Sequence, residues 1–327
     1  MKRLVLFCIV MIFFCAGPCF GTWVKQTSGT TDNLRDVWFR RPPSPRGWAV
    51  GDRGIILTTQ NMGTNWVPQT SPTNQTLCGI AWELRGLSSK EWATAVGGDT
   101  GGGVVIHTTN SGNTWTVSNS PSNVVYAISY GDSMNGWGVG TAGSVWRTTD
   151  GGLNWAFQTT TLRVTWFGVW FVNSMLGWKC GTNGAIMRTT NGGADWQTQG
   201  SGVSDTLRGI CFRDTLLGCV VGNGGIVLRT TDGGSSWTRI STGFTENLHG
   251  VFLSYYGSLG YAVGANGRIL ATSNGGATWL SQVSGVTNTL RGVWCWLDMP
   301  GQWAFAAGDS GTILYQFIPS GVEEERS

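Results

Sequence analysis

Three arginines and a histidine occupy one recurring position of this chain, and together they have the chemistry to recognise an anion. Arg35, Arg208, His249 and Arg291 each follow the leucine that opens a short apolar stretch, in LRDVWF, LRGICF, LHGVFL and LRGVWC. The same position holds Cys78, Tyr126 and Phe167 in the remaining units. Guanidinium groups bind carboxylates through short, charge-assisted, often bidentate bonds, and a cluster of them recognises acidic segments or chain termini. Any one of these arginines could instead cap a carbonyl or lie against an aromatic ring. Exposed groups of one sign rarely gather without a partner, so it is the contiguity of the four that favours binding.

Other chemistry finds less support. Cys78, Cys180, Cys211, Cys219 and Cys295 are an odd and irregularly spaced set, and His107 and His249 are the two histidines. A zinc site or disulfide framework needs closely spaced, paired ligands, so no metal or cofactor is expected and the cysteines read as small buried apolar side chains. One exception stays open: a turn centred on Thr215 would set Cys211 opposite Cys219 on adjacent strands. Asp36, Asp52, Asp99, Asp132 and Asp309 are loop candidates for a catalytic carboxylate pair, although turn capping accounts for them better. A second arginine set, Arg147, Arg188 and Arg229, reads as outer-face, solvated or turn-capping side chains.

The elements that would position the crescent follow from an internal repeat. TTDGGLNW at Thr148 to Trp155 has close copies ending at Trp115, Trp196, Trp237 and Trp279 and a looser one ending at Trp66. Each box follows an apolar strand, a Gly-rich strand such as GWAVG at Gly47 comes before that, and the LRG-type stretch comes first. Each unit is therefore four short strands separated by turn signals. From Trp23 to Trp279 the tryptophans recur every 40 to 49 residues, the length of one propeller blade. The last unit lacks its terminal box, whereas GTWVKQTSG at Gly21 matches GATWLSQVSG at Gly275. The N-terminal strand is thus predicted to complete the seventh blade, which leaves no open edge. In a closed ring Arg208, His249, Arg291 and Arg35 fall on consecutive blades five, six, seven and one, with Cys78, Tyr126 and Phe167 opposite.

Within the box, the Asp or Asn is expected to bond its following backbone amides and the Gly two positions on to take positive φ. The Trp anchors the outer strand. Blade two departs from the repeat, with extra residues from Glu83 to Glu91 and a GGDTGGG stretch at Gly97 that reads as flexible; loops of this kind are plausible contact sites.

Composition bounds the class. The 327 residues include 51 Gly and 19 Trp, 41% are hydrophobic and 12% are charged, which excludes intrinsic disorder and argues against a helical bundle. Lys2 and Arg3, the apolar run Leu4 to Ala16, and small residues at Cys19 and Gly21 read as an export signal, residues 1–21, cleaved before Thr22. The 13-residue run is too short to span a bilayer. The expected organisation is then a signal (1–21), an all-β seven-bladed propeller (22–317) and a short acidic tail (318–327), exported to the periplasm, the thylakoid lumen or the cell exterior. Beyond the signal there are 19 basic and 18 acidic residues, so bulk attraction to nucleic acid is not expected. A monomer, peripheral to a membrane at most, is expected.

The pattern T-[TS]-[DN]-x-G-x-x-W resembles the Asp-box, or BNR, repeat. With L-[RH]-G-V-x-F, G-W-x-V-G and G-x-I-x-x-T-T-[DN]-G-G-x-x-W, the whole unit is similar to the seven-bladed photosystem II assembly factors, the Ycf48/Hcf136-like family. The resemblance implies a non-enzymatic exported propeller that binds a precursor subunit of a membrane complex through an arginine patch, which the crescent resembles. Function is less firmly implied than fold. An Asp-box glycoside hydrolase of the sialidase kind is an alternative, but the chain has no R-I-P segment, and outside its tail its glutamates are Glu83, Glu91 and Glu246. A carbohydrate-binding or adhesion propeller is the other alternative, and it would require tryptophans exposed on one face.

Overall fold

The computed structural model describes residues 20–40, 44–82, 92–158, 162–298 and 301–319. Most of the signal, the Glu83–Glu91 insertion and most of the acidic tail therefore lie outside the described residues. Seven four-stranded antiparallel sheets make up the described chain, and six of them are consecutive meanders, from Leu34–Phe39 through Val67–Gln69 in the first to Leu248–Leu253 through Leu280–Gln282 in the sixth. In the seventh sheet Leu290–Asp298, Gly301–Gly308 and Thr312–Pro319 are joined by Val24–Gln26, paired as Val24 with Tyr315 and Gln26 with Ile313. The seven-bladed ring closes with the N-terminal strand, as the box-less last unit predicts. Among the described residues no helix is long and apolar enough to cross a membrane.

Each box is fixed by a reciprocal pair of side chains. In the Thr230 box the Asp232 carboxylate accepts the Ser236 amide at 2.9 Å, and the buried Thr230 hydroxyl accepts the Gly234 amide at 2.9 Å. Gly234 adopts φ of +89° and its five counterparts +80° to +89°. The aspartate's part is visible in the sequence; the threonine's is not, because only the folded turn buries its hydroxyl.

Blades are joined by flat aromatic contacts. The Trp that opens GWGVG, Trp137, stacks on Phe171 of the next blade with centroids 3.5 Å apart, and its indole N–H donates to Gly192 O in that blade's box. Trp178 repeats both contacts with Phe212 and Gly233, Trp48 stacks on Trp82, and Phe305 stacks on Phe39 across the closure at 3.7 Å. The second arginine set reinforces these joints: Arg147 and Arg188 lie over Trp137 and Trp178, and Arg229 donates to Gly275 O in the following box at 2.8 Å. All three arginines are partly buried; Arg229 caps the neighbouring box, whereas Arg147 and Arg188 cover the indoles of their own blades, so solvated outer-face side chains are the part of the expectation that fails.

Two further expectations are corrected. Cys211 and Cys219 do face each other in register, yet both are free thiols: Cys211 Sγ accepts the Leu253 amide from the next blade. The Gly97 stretch is not a flexible loop but an extended hairpin, Ala93–Asp99 against Gly102–Thr108, whose turn is capped by Asp99 accepting the Gly101 amide.

One charge is buried with no oxygen partner. Lys179 is fully buried, its Nζ makes no hydrogen bond, and it sits 4.5 Å from the Trp166 ring and 4.2 Å from the Trp196 ring. The rings repay part of the cost of desolvation, but burial still pulls the ammonium down to about 7. Because the folded value lies below the unfolded one, stability rises with pH between about 7 and 10.5 as the folded form sheds its proton first.

Two outcomes are expected. Lys179→Met should be more stable than the parent by about 1–3 kcal/mol at pH 6, with the margin narrowing toward pH 10, as read by urea unfolding across pH. Trp23→Ala, which removes the anchor of the closing strand, should cost about 3–5 kcal/mol; a melting temperature within a degree of the parent would show that closure is not held there.

Candidate functional site

All seven innermost strands start at the same mouth of the central channel, and each starts with an irregularity. Leu34 pairs with Gly51 and Asp36 pairs with Val50, so Arg35 is an extra residue bulged out of the ladder. The same shift falls at Cys78, Tyr126, Phe167, Arg208, His249 and Arg291. Bulges re-aim a side chain and terminate pairing, and here seven of them direct one side chain each from the ladder into a common cavity. The Gly paired with the residue before each bulge permits the close approach: a Cβ on Gly51 would lie 2.0 Å from Asn33 O.

The cavity, of about 280 Å³, is lined by Arg35, Cys78, Tyr126, Phe167, Arg208, His249 and Arg291. The seven positions aligned from the repeat therefore line one cavity. Tyr126 and Phe167 pack at 5.0 Å, and the Arg208 guanidinium lies 5.3 Å over the Phe167 ring, so the aromatic and basic arcs join at Arg208. Trp38, Trp170 and Phe252 also line it, and they pack on one another across the channel, with Trp38 to Trp170 at 6.4 Å and Trp38 to Phe252 at 5.8 Å. These rings come from blades one, four and six and crowd the channel beneath the bulges. They were readable only as strand-core residues in the sequence.

The arginines are not equivalent. Arg35 donates to both carboxylate oxygens of Asp52 at 2.7 and 3.0 Å, and Arg291 to both of Asp309 at 2.5 and 2.9 Å. Arg208 meets a neutral side chain at the corresponding place, donating to Asn223 Oδ1 at 2.6 Å, and burial, with Arg291 adding to it, holds its pKa below the ordinary value. His249 is pushed down to about 4 by burial and then by Arg208 and Arg291, so its ring is neutral at physiological pH. The crescent thus carries one guanidinium with no carboxylate partner, Arg208, at the end that meets the aromatic arc, while the two ion pairs lie on blades seven and one. Asp52 and Asp309 are two of the aspartates that sequence reasoning placed in loops, and each stands directly after the last Gly of its second strand.

Asp36 is a correction. It lies within a strand, where five of the other blades have Gly directly after the bulge residue in LRG, LHG or the like, and its Oδ2 accepts the Ile80 amide of blade two at 3.0 Å while Oδ1 accepts Val37 N. Burial outweighs these bonds and raises it to about 7. A raised folded value means that its stabilising contribution is complete below about 4 and is lost as pH rises through 7. Among the described residues no cluster of His, Cys, Asp and Glu could hold a metal ion.

The fold and mouth define a class: a seven-bladed propeller with a basic and aromatic cavity at one end of its channel. Residues 159–251, spanning blades four and five and the start of the first strand of blade six, match the family described as photosynthesis system II assembly factor YCF48. The structure resembles that of a YCF48 bound to D1 peptide, at 17% identity over 93% of this chain and 99% of the other with a TM-score of 0.71. It also resembles YCF48 from Cyanidioschyzon merolae (18% identity, 90% and 98% covered, TM-score 0.70) and the WD40 propeller domain of Doa1 (14%, 94% and 98%, 0.72). These likenesses concern the fold. No curated protein matches the chain.

The His249 ring is expected to titrate near pH 4 and the Asp36 carboxyl near 7 by NMR, with Arg208→Gln moving the histidine upward. A histidine midpoint left at its ordinary value in the parent protein would contradict the neutral-ring assignment.

Proposed function

We propose that this chain is an exported, non-enzymatic binding propeller that holds an anionic peptide segment of a membrane-complex subunit at the Arg208 mouth, in the manner of an assembly factor. The observation that carries the reading is the unpaired Arg208 guanidinium, set between the neutral Asn223 and the Phe167 ring. A guanidinium of this kind has bonding capacity to spare for a carboxylate, whereas Arg35 and Arg291 would have to exchange Asp52 and Asp309 for it. The match of residues 159–251 to the YCF48 family and the similarity in fold to a YCF48 bound to D1 peptide support a peptide as the ligand.

With one net positive charge once Asp36 is protonated, the mouth suits a single carboxylate flanked by apolar groups, which Tyr126, Phe167 and the Trp38–Trp170 floor would cover. Arg35, His249 and Arg291 shape the walls. The glycoside hydrolase and carbohydrate-binding readings gain no support: the carboxylates at this mouth, Asp52 and Asp309, are engaged by arginines, Asp36 is buried among backbone amides, and the floor residue Trp170 is buried.

Fluorescein-labelled peptides carrying one Asp or Glu among apolar residues, titrated against residues 22–327, test the proposal by anisotropy. Arg208→Glu should weaken binding at least about tenfold, roughly 1.4 kcal/mol, and more than Arg35→Gln. Binding by the parent should tighten as pH falls from 8 to 6, because Asp36 then loses its charge, and Asp36→Asn should flatten that dependence. Equal affinity of the parent and Arg208→Glu, or none in either, would sink the reading.

A further inference from the structure

Above about pH 7 the crescent mouth carries two opposite charges that do not meet. Arg35 and Arg291 are offset by Asp52 and Asp309 and His249 is neutral, which leaves Arg208 on blade five and Asp36 on blade one. These blades are three apart in a ring of seven, the widest separation the ring allows. Arg208 bonds Asn223 instead, and the neighbouring guanidiniums of Arg35 and Arg291 are turned to their own partners.

Asp36 stands one residue inward of the bulge. The same place is taken by Gly79, Ala127, Gly168, Gly209, Gly250 and Gly292 in the other blades, and all of them line the cavity. Six blades therefore present a hydrogen or a methyl group at this level, and Asp36 alone presents a functional group. Among the described residues it is the one carboxylate of the lining. It lies deep in the molecule yet keeps partial exposure to the channel. Oδ1 accepts the Val37 amide at 2.9 Å and Oδ2 the Ile80 amide at 3.0 Å, so each oxygen has a further acceptor site to offer. A desolvated carboxylate without a cation is costly to ionise, and the surroundings here are those a cation would use. Asp36 pairs with Val50 and Trp38 with Trp48, which puts both side chains on one face of the strand. Trp38 in turn packs on Trp170 and Phe252 in the channel. A cation at this level meets a carboxylate and electron-rich ring faces together.

We propose that the channel beneath the crescent receives a primary ammonium, the side chain of a lysine, which bonds Asp36 while a carboxylate of the same segment bonds Arg208. This site rests on the peptide reading of the mouth and adds a second group that the peptide must carry. Lysine fits because its ammonium is compact and its four-carbon stem is apolar, so the stem can pass between the bulged side chains and lie against rings. Arginine fits less well, since its broad planar fork brings five donors to the two acceptor sites that Asp36 has left. With Asp36 ionised the mouth has no net charge, and a segment bearing one carboxylate and one ammonium matches it group for group.

n-Butylammonium and its neutral counterpart n-butanol, each titrated into residues 22–327, test the ammonium site without a peptide. The Asp36 carboxyl, which burial pushes up to about 7, should titrate at lower pH with saturating butylammonium, because a bound cation favours the charged form; butanol should leave it in place. Of the groups facing Asp36, Arg35 and Arg291 are held in ion pairs, and burial pushes the Cys78 thiol up to about 11 and the Tyr126 phenol up as well, so the change near pH 7 belongs to the aspartate. Capped pentapeptides with one Glu and, two positions on, Lys or norleucine then join the two groups. At pH 8 the Lys peptide should bind at least about fivefold more tightly by calorimetry. That preference should shrink as pH falls to 6 and Asp36 takes up its proton, and Asp36→Asn should remove it. The proposal is overturned by no saturable response to butylammonium up to about 200 mM, by an equal response to butanol, or by peptides that bind equally at pH 8. Binding of butylammonium but of neither peptide would sink the peptide reading alone and leave the ammonium site standing.

Discussion

Closing a ring of seven sheets demands that each sheet offer its neighbour a surface of the same shape, and in this chain stacked aromatic rings meet that demand. Trp137 on Phe171 and Trp178 on Phe212 are near-parallel contacts at 3.5 Å, and Phe305 on Phe39 repeats the arrangement where the last blade meets the first. The stacking fixes the distance between blades, and the indole bonds to Gly192 and Gly233 fix their rotation by engaging the next box. The crescent mouth depends on this, since it is made of single side chains from many blades and has no wall of its own. The strand that covers the last open edge, Val24–Gln26, therefore supports a site to which it contributes nothing directly.

Within that frame a one-residue bulge does the positioning. A regular strand would alternate residues between channel and core, and its first residue would remain tied to the ladder. The extra residue at 35, 78, 126, 167, 208, 249 and 291 has no ladder partner, so its side chain is free to serve the cavity without weakening the sheet. Arginine, histidine, tyrosine, phenylalanine and cysteine can all occupy the position at small structural cost. Binding chemistry can therefore vary from blade to blade while the fold stays constant.

This separation also explains what was legible in the sequence. Blade number, strand order, closure and the seven bulge positions follow from the repeat, because the repeat is the fold. The aspartate and glycine roles in the box follow from local turn chemistry. The pairing of Arg35 with Asp52 and of Arg291 with Asp309 was not legible, since it requires the bulge to bring residues 17 and 18 apart in sequence into contact. Trp38, Trp170 and Phe252 meet across the ring from blades one, four and six, a contact that no local pattern encodes. Asp36 and Lys179 break the repeat with buried ionisable groups; the sequence shows that they are exceptions, but their burial and shifted titration emerge only in the packed ring.

The charge of the crescent illustrates why residue type alone misleads. Counted from sequence, Arg35, Arg208, His249 and Arg291 make a strongly basic arc suited to a run of acidic residues. In the structure two arginines are neutralised by carboxylates and the histidine is kept neutral by burial and by its arginine neighbours. Arg208 alone retains its full field, and Arg291 opposes its charge. A polyanionic segment would bring several charges to a mouth that offsets one, and the rest would be desolvated against Tyr126 and Phe167 without repayment. Under the proposed function, selectivity at this mouth rests on the match between one carboxylate and one guanidinium, with the aromatic arc rewarding apolar neighbours.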